Sequence, residues 1–208
     1  MKQEFELINT RVKRTMKKLL TISSLLITFI LPPKLLFAQS NLGISIEALG
    51  YIAQIENKYL DSSTSSESSF ENDYGFSIPF TFKIADNYSL SLRSGFIFGS
   101  LYAGPHITTI ANYELENKMY LLLGINVHFN LYVGGHSKHG YSVTIPYVVT
   151  GFGYKIPAFG TVELQLHRSV NNVNYGYWRK PTERSSFYDS YYKTSWLIKI
   201  SFCYEWEL

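Results

Sequence analysis

A single cysteine, Cys203, stands in 208 residues. One thiol rules out an internal disulfide and a multi-cysteine metal site. It follows no cleavage point, so lipid attachment at a new N-terminal cysteine is excluded as well. Charge is scarce too, at 17% of residues, and its sign depends on where the count begins. Seven of the 19 Lys and Arg residues precede Gln39, against two of the 16 acids; residues 39–208 therefore carry a formal net charge of −2, although the whole chain carries +3. The basic excess belongs to the leader. Without a cluster of phosphate-neutralising cations, no nucleic-acid partner is expected. Past residue 38 there is no long apolar run and no sustained helical period.

The one long apolar run lies in "MKKLLTISSLLITFILPPKLLFA", from Met16 to Ala38. Lys17 and Lys18 form a positive start, Leu19 to Leu31 an apolar stretch, and Ala38 a small residue before "QS", the pattern of an export signal. The run falls short of the roughly 20 residues that span a bilayer, and Pro32 and Pro33 end any helix there. Residues 1–38 are thus expected to be an N-terminal extension and signal peptide, with its start at Met16 and cleavage after Ala38. Residues 39–208 are expected to form one domain.

Aromatic residues make up 16% of the chain, which together with Gly and Ser favours strands. Period-two alternation recurs. "YGFSIPFTFKI" places Tyr74, Phe76, Ile78, Phe80, Phe82 and Ile84 on one face and Gly75, Ser77, Pro79, Thr81 and Lys83 on the other. "YSLSLRSGFIF", "MYLLLGINVHFNLYV", "TVELQLHRS" and "SWLIKISFCYEWEL" repeat the pattern, and "LGISIEALGYIAQI", "HITTIANYEL" and "YSVTIPYVVTGFGY" bring the count to eight strands. Pro79 and Pro146 each remove a ladder donor, so a local bulge is expected at both. Tight turns near residues 85–87, 115–118 and 157–160 alternate strictly with long connections, which puts every long loop at one end. The fold expected is all-β, an eight-stranded antiparallel up-and-down transmembrane β-barrel with short periplasmic turns and longer outer loops.

Alternation does not say which face looks inward, and a soluble secreted lipocalin-like barrel binding an apolar ligand would use the same pattern reversed. Two features favour the membrane. The polar faces are rich in Gly, Ser and Thr with few charges, which suits a narrow lumen better than a water-facing surface, where about 25–35% of residues are charged. The apolar faces are bulky, with Tyr74, Tyr88, Phe98, Trp196, Tyr204 and Trp206 toward strand ends, as in interfacial girdles. The alternation also runs to the final residue, as expected of a strand that closes a barrel against the first.

That closing strand resembles the C-terminal assembly signal of outer-membrane barrels, at Phe202, Tyr204, Trp206 and Leu208; the family usually ends in Phe where this chain has Leu208. Residues 39–208 as a whole resemble the small eight-stranded outer-membrane barrels of the OmpX and PorT-like kind, with "IPFTFKIADNYSLSLRSGFIFG" similar to their strand, tight turn and strand. The resemblance implies the fold and location in the cell outer membrane, and little about activity; the role expected is structural or surface-binding, with outer-membrane lipid and the barrel assembly machinery as partners and no cofactor.

Candidate sites are sparse. Glu47, Lys83, Arg93, Glu163 and Lys199 are expected as a lumen charge network, filling a closed interior as partnered charges. His136 and His139 in "GGHSKHG" lack a nearby acid or Cys, so no metal is expected there. His167 and Ser169 share a face near the outer end of the seventh strand, and a Ser beside a His can act as a nucleophile. This is similar to the His-x-Ser of outer-membrane lipid A deacylases, although Val170 stands where that family has Asn. A hydrolase is the alternative activity; a polar strand end is the default. The last loop packs Tyr175, Tyr177, Trp178, Arg179 and Tyr188 together, residue types favoured at binding hot spots, and is the expected contact region for an extracellular ligand or protein.

Overall fold

A computed structural model describes residues 40–59, 63–181 and 187–208. The expected leader and its cleavage point lie outside them. Among the described residues there are ten strands: β1 (Ser40–Lys58), β2 (Thr64–Ala85), β3 (Tyr88–Phe98), β4 (Gly104–Glu114), β5 (Met119–Asn130), β6 (Lys138–Gly140), β7 (Val143–Ile156), β8 (Gly160–Ser169), β9 (Asn174–Pro181) and β10 (Phe187–Glu207). Eight of them pair in the order β1-β2-β3-β4-β5-β7-β8-β10, and β10 then pairs with β1. Every ladder is antiparallel, so the barrel is closed and up-and-down. Closure runs from Asn41 opposite Glu207 to Lys58 opposite Asp189, and the Leu208 amide donates to the Ser40 carbonyl at 2.9 Å. The last residues are held because each has a partner strand.

Faces follow sequence parity. Ile44, Ile46, Phe76, Ile78, Leu121, Leu123, Ile125, Ile198, Ile200 and Phe202 are exposed, whereas Ser45, Glu47, Ser77, Arg93, Asn126, Glu163, Lys199 and Ser201 are buried. Hydrophobic residues turned outward and charged residues turned inward invert the order of a water-soluble protein. The soluble lipocalin-like arrangement, with its apolar face inside, is the opposite of this and is discarded. On β10 the outward aromatics Trp196 and Trp206 stand ten residues apart. At ~3.4 Å per residue and a tilt of ~40°, that separation gives a belt about 25 Å tall, the apolar height of a transmembrane barrel.

Turns at one end are tight. Asn117, Lys118 and Ala158 take left-handed backbone, and Gly160 has φ +112, where a Cβ would lie 2.2 Å from the Cys203 carbonyl oxygen. The other end differs from expectation. Much of "LDSSTSSESSFEND" and of the last loop is strand, not coil: β1, β2 and β10 run past the belt and, with β9 and β6, form a crown sheet in the order β2-β1-β10-β9-β6. The prolines also differ. The β1–β2 ladder skips the pairs beside Pro79 yet keeps one register on either side, and Val127 opposite Pro146 lies in an unshifted β5–β7 register. Each proline costs a hydrogen bond without inserting a residue. The bulges fall elsewhere, between Ile52 and Ala53, Lys83 and Ala85, and Tyr192 and Lys193.

Candidate functional site

The barrel interior is divided into three levels. Nearest the tight turns is an open vestibule of about 480 Å³, lined by Asn41, Lys83, Asn112, Glu205 and Glu207 among others, and floored by Arg93, Tyr120 and Glu163.

Above it lies a polar circuit. Arg93 forks onto Glu163 at 2.5 and 2.7 Å, and Glu163 also accepts from Tyr120, Gln165 and Ser201. Five donors on one carboxylate is what a buried charge requires, since each unmet lone pair or proton is costly. Tyr120 reaches Glu163 because the residue opposite it on β7 is Gly153, where a Cβ would lie 2.2 Å from the tyrosine ring. A second acid, Glu47, accepts from Lys199 at 3.1 Å and Ser77 at 2.7 Å.

The two acids are joined by a directional chain. Gln165 donates its amide to Glu163, so its oxygen accepts from His167 Nε2 at 3.0 Å. His167 Nδ1 then takes the Asn126 amide at 3.4 Å, Asn126 Oδ1 accepts from Thr108, and Thr108 Oγ1 meets His106 Nδ1 at 3.3 Å. That polarity makes His106 Nδ1 the donor and leaves its Nε2 facing Glu47 Oε2 at 3.3 Å.

The third level is aromatic. Tyr51, Tyr102, Tyr147, Tyr175 and Tyr192 pack with Leu49, Ile97, Leu101, Ile145 and Leu197. Tyr102 stacks on His128 at 4.1 Å and donates to Tyr147 at 3.0 Å, while Tyr51 donates to Asp73 at 2.9 Å. Asn130 pins this plug. Its amide nitrogen donates to the carbonyls of Leu101, Tyr141 and Tyr175, and its oxygen accepts from the Ala103 amide.

Of the five expected lumen charges, Glu47, Arg93, Glu163 and Lys199 are brought together in the circuit. Lys83 is not; it is half-exposed at the vestibule mouth, 3.8 Å from Asp86. His167 is fully buried with its ring committed to Gln165 and Asn126, and Ser169 donates to the Asn171 carbonyl, so the two do not form a nucleophile pair. His139 packs between Tyr132 and Tyr177, and His136 is exposed nearby. Among the described residues no group of three or more His, Cys, Asp or Glu is placed to hold a metal. Phe202, Tyr204, Trp206 and Leu208 face outward on the seam strand.

The loop residues divide. Tyr175 is fully buried in the plug and Tyr177 is nearly so, whereas Trp178, Arg179 and Tyr188 reach the crown surface. Trp178 lies between Lys138 at 4.5 Å and Lys180 at 5.0 Å, and Tyr188 stacks on Tyr59. Asp189 ties the crown together, accepting from Tyr177 at 2.6 Å and from Arg179 at 2.9 and 3.3 Å. Arg179 holds the Asp189 carboxyl below the usual aspartate range, and desolvation together with Asp189 pushes the Tyr177 phenol up to about 12. Sequence reading passed over His106, His128, Asn130, Tyr102 and Tyr147. Parity does place His128 and Asn130 beside Asn126 on the polar face of "MYLLLGINVHFNLYV", but nothing in that segment marks them as site residues.

No protein-family model and no characterised protein sequence matches the chain. Among solved structures it is similar to the outer membrane protein OprG from Pseudomonas aeruginosa, at 11% identity over 81% of this chain and 96% of that one, with TM-score 0.44. Neisserial surface protein A is similar at 9% identity over 76% of this chain and 96% of that one, with TM-score 0.33. A Pseudomonas aeruginosa FadL homologue is similar at 10% identity over 80% of this chain and 49% of that one, with TM-score 0.36.

Proposed function

We propose that this chain is an outer-membrane barrel of structural or surface-binding role, exported through its leader, whose ligand contacts are made by the crown and not through the lumen. The observation that carries this reading is the interior: an ion-paired polar layer below a tyrosine plug, inside an apolar belt of membrane height. Eight strands leave room for side chains and no water column. The crown, by contrast, presents Trp178, Arg179 and Tyr188 on a sheet braced by Asp189, which holds them without a large ordering cost on binding. In this reading the tight turns face the periplasm and the crown faces outward. The OmpX and PorT-like resemblance and the closing aromatic strand support the same location.

Ser137, beside β6 in the crown, offers the test. On intact cells a Ser137→Cys variant is expected to react with a membrane-impermeant maleimide, while the parent, whose Cys203 is buried, is not. The purified barrel is expected to give no steady conductance in a planar bilayer. Labelling only after lysis would reverse the orientation, and a stable open channel would overturn the closed-lumen reading.

A further inference from the structure

One position on the lipid-facing surface is not accounted for by the apolar belt. At the crown end of that belt, strand pairing sets Val148, Arg168, Trp196, Ile52 and Phe70 side by side around the outside of the barrel. Four of these are apolar or aromatic and 40–69% exposed. The remaining one is a cation. Leu166 and Val170 flank it along its own strand, both exposed, and its guanidinium carbon lies 4.6 Å from the Trp196 ring centre. The described arginines differ sharply in their partners. Arg93 forks onto Glu163 and Arg179 onto Asp189. Arg168 has its tryptophan and, among the described residues, no carboxylate.

Such a cation is expensive at the bilayer centre and close to free at the headgroup level, where this row lies. It still needs an anion, and the described residues offer it none. A little farther toward the crown on the same seam, Lys193 and Lys58 share one carboxylate, Glu56, at 3.3 and 3.5 Å. Lys193 stands opposite Gln54, on the outer face and past the bulge that follows Ile52. On this face Arg168 and Lys193 thus stand at two heights separated by three residues, or ~10 Å along a strand, and Lys58 stands farther out, opposite Asp189. Two separated positive positions beside an aromatic plate fit a headgroup with two phosphates on a sugar backbone better than one with a single phosphodiester.

We propose that Arg168 and Trp196, with Lys193 and Lys58 beyond them, bind the phosphates of a phosphorylated glycolipid in the extracellular leaflet. This rests on the outer-membrane reading and names a lipid contact within it. Arg168 supplies the forked donors that match phosphate oxygens, and Trp196 fixes the plane of the fork.

The test uses the refolded barrel (residues 39–208) in zwitterionic detergent, titrated with a diphosphoryl glycolipid, the same lipid after dephosphorylation, and phosphatidylglycerol, with native mass spectrometry as readout. The diphosphoryl lipid is expected to be retained most strongly, and R168Q to bind it about tenfold more weakly, the loss of one charge-assisted fork. R168K is expected to fall between, and K193Q to weaken binding less than R168Q. The Arg168 side chain faces outward and, among the described residues, holds no hydrogen bond, so heat-modifiable migration of R168Q should match the parent. Undiminished binding by R168Q, or equal binding of the dephosphorylated lipid, overturns the site. Equal retention of phosphatidylglycerol overturns the glycolipid assignment. Fractionation of the parent chain separates the two levels: outer-membrane recovery without phosphate dependence removes the site alone, whereas absence from that membrane removes both.

Discussion

The two halves of the lumen are filled by opposite means. Toward the tight turns, Arg93, Glu163, Glu47, Lys199 and the histidines fill space with charge and directional hydrogen bonds. Toward the crown, Tyr51, Tyr102, Tyr147, Tyr175 and Tyr192 fill it with rings, using their hydroxyls sparingly. A buried ion pair contributes little net stability, yet it cannot lose one member without stranding the other. A packed ring loses stability in proportion to the contacts removed. The lower half should therefore respond steeply to single substitutions and mildly to paired ones, and the upper half in graded steps.

The largest effect expected is from Glu163→Ala, which strands a fully buried Arg93 and leaves Tyr120, Gln165 and Ser201 without their acceptor. A loss of about 3–5 kcal/mol is expected by urea unfolding in lipid vesicles followed by tryptophan fluorescence. The double change Arg93→Met with Glu163→Leu should recover most of that. If the single change costs under about 1 kcal/mol, the contrast between the halves fails.

Asn130 joins the two regimes, since it touches His128 below and the crown connections above. Asn130→Ala is expected to cost about 2–3 kcal/mol, because several backbone groups lose their partner at once. Amide exchange should then accelerate at Ala103, which donates to it, with the barrel strands unaffected. Exchange rising equally in β3 and β8 would show a global loss and no pin. Tyr102→Phe deletes one hydroxyl from the plug and keeps its ring, for an expected cost of about 1 kcal/mol in the same unfolding assay.

The smallest effect lies at the crown. The Asp189 carboxyl titrates below its ordinary value of 3.8 because Arg179 favours the charged form. A lowered acid stabilises the folded crown above its unfolded value and loses that contribution as pH falls through its folded value. Local exchange in β9 and β10, normalised to the intrinsic amide rate at each pH, should thus stay flat from neutral pH down to about 4 and rise only below the ordinary aspartate value. Solvent screening keeps the size small, and Asp189→Asn should flatten the acid limb. A rise beginning at pH 6 would point to another group.

Much of the barrel was legible because a lipid-facing strand and its lumen face must alternate, and nothing in the band relaxes that rule. Parity alone placed Glu47, Arg93, Glu163 and Lys199 inside. It failed for Lys83, which has the right parity but lies past the depth at which the lumen closes, where water already reaches it. The crown was unreadable for a related reason. Residues 64–72 are strand, but their outer face meets water and their sheet is open, so Ser and Thr suffice and no apolar stripe marks them. Tyr102, in a short connection between β3 and β4, looked like a loop residue because its burial depends on rings contributed by β1, β7 and β9. The circuit through Gln165, His167, Asn126, Thr108 and His106 is likewise a property of strand register around the cylinder, which no single segment encodes.

Glu47 and Lys199 lie 152 positions apart, on the strands that meet at the seam. Until that seam zips, neither has the other, and an intermediate that inserts unsealed must carry both charges without their counter-ion. Assembly is thereby made conditional: hydrocarbon rejects the half-made cylinder, and neutralisation comes only with the final join.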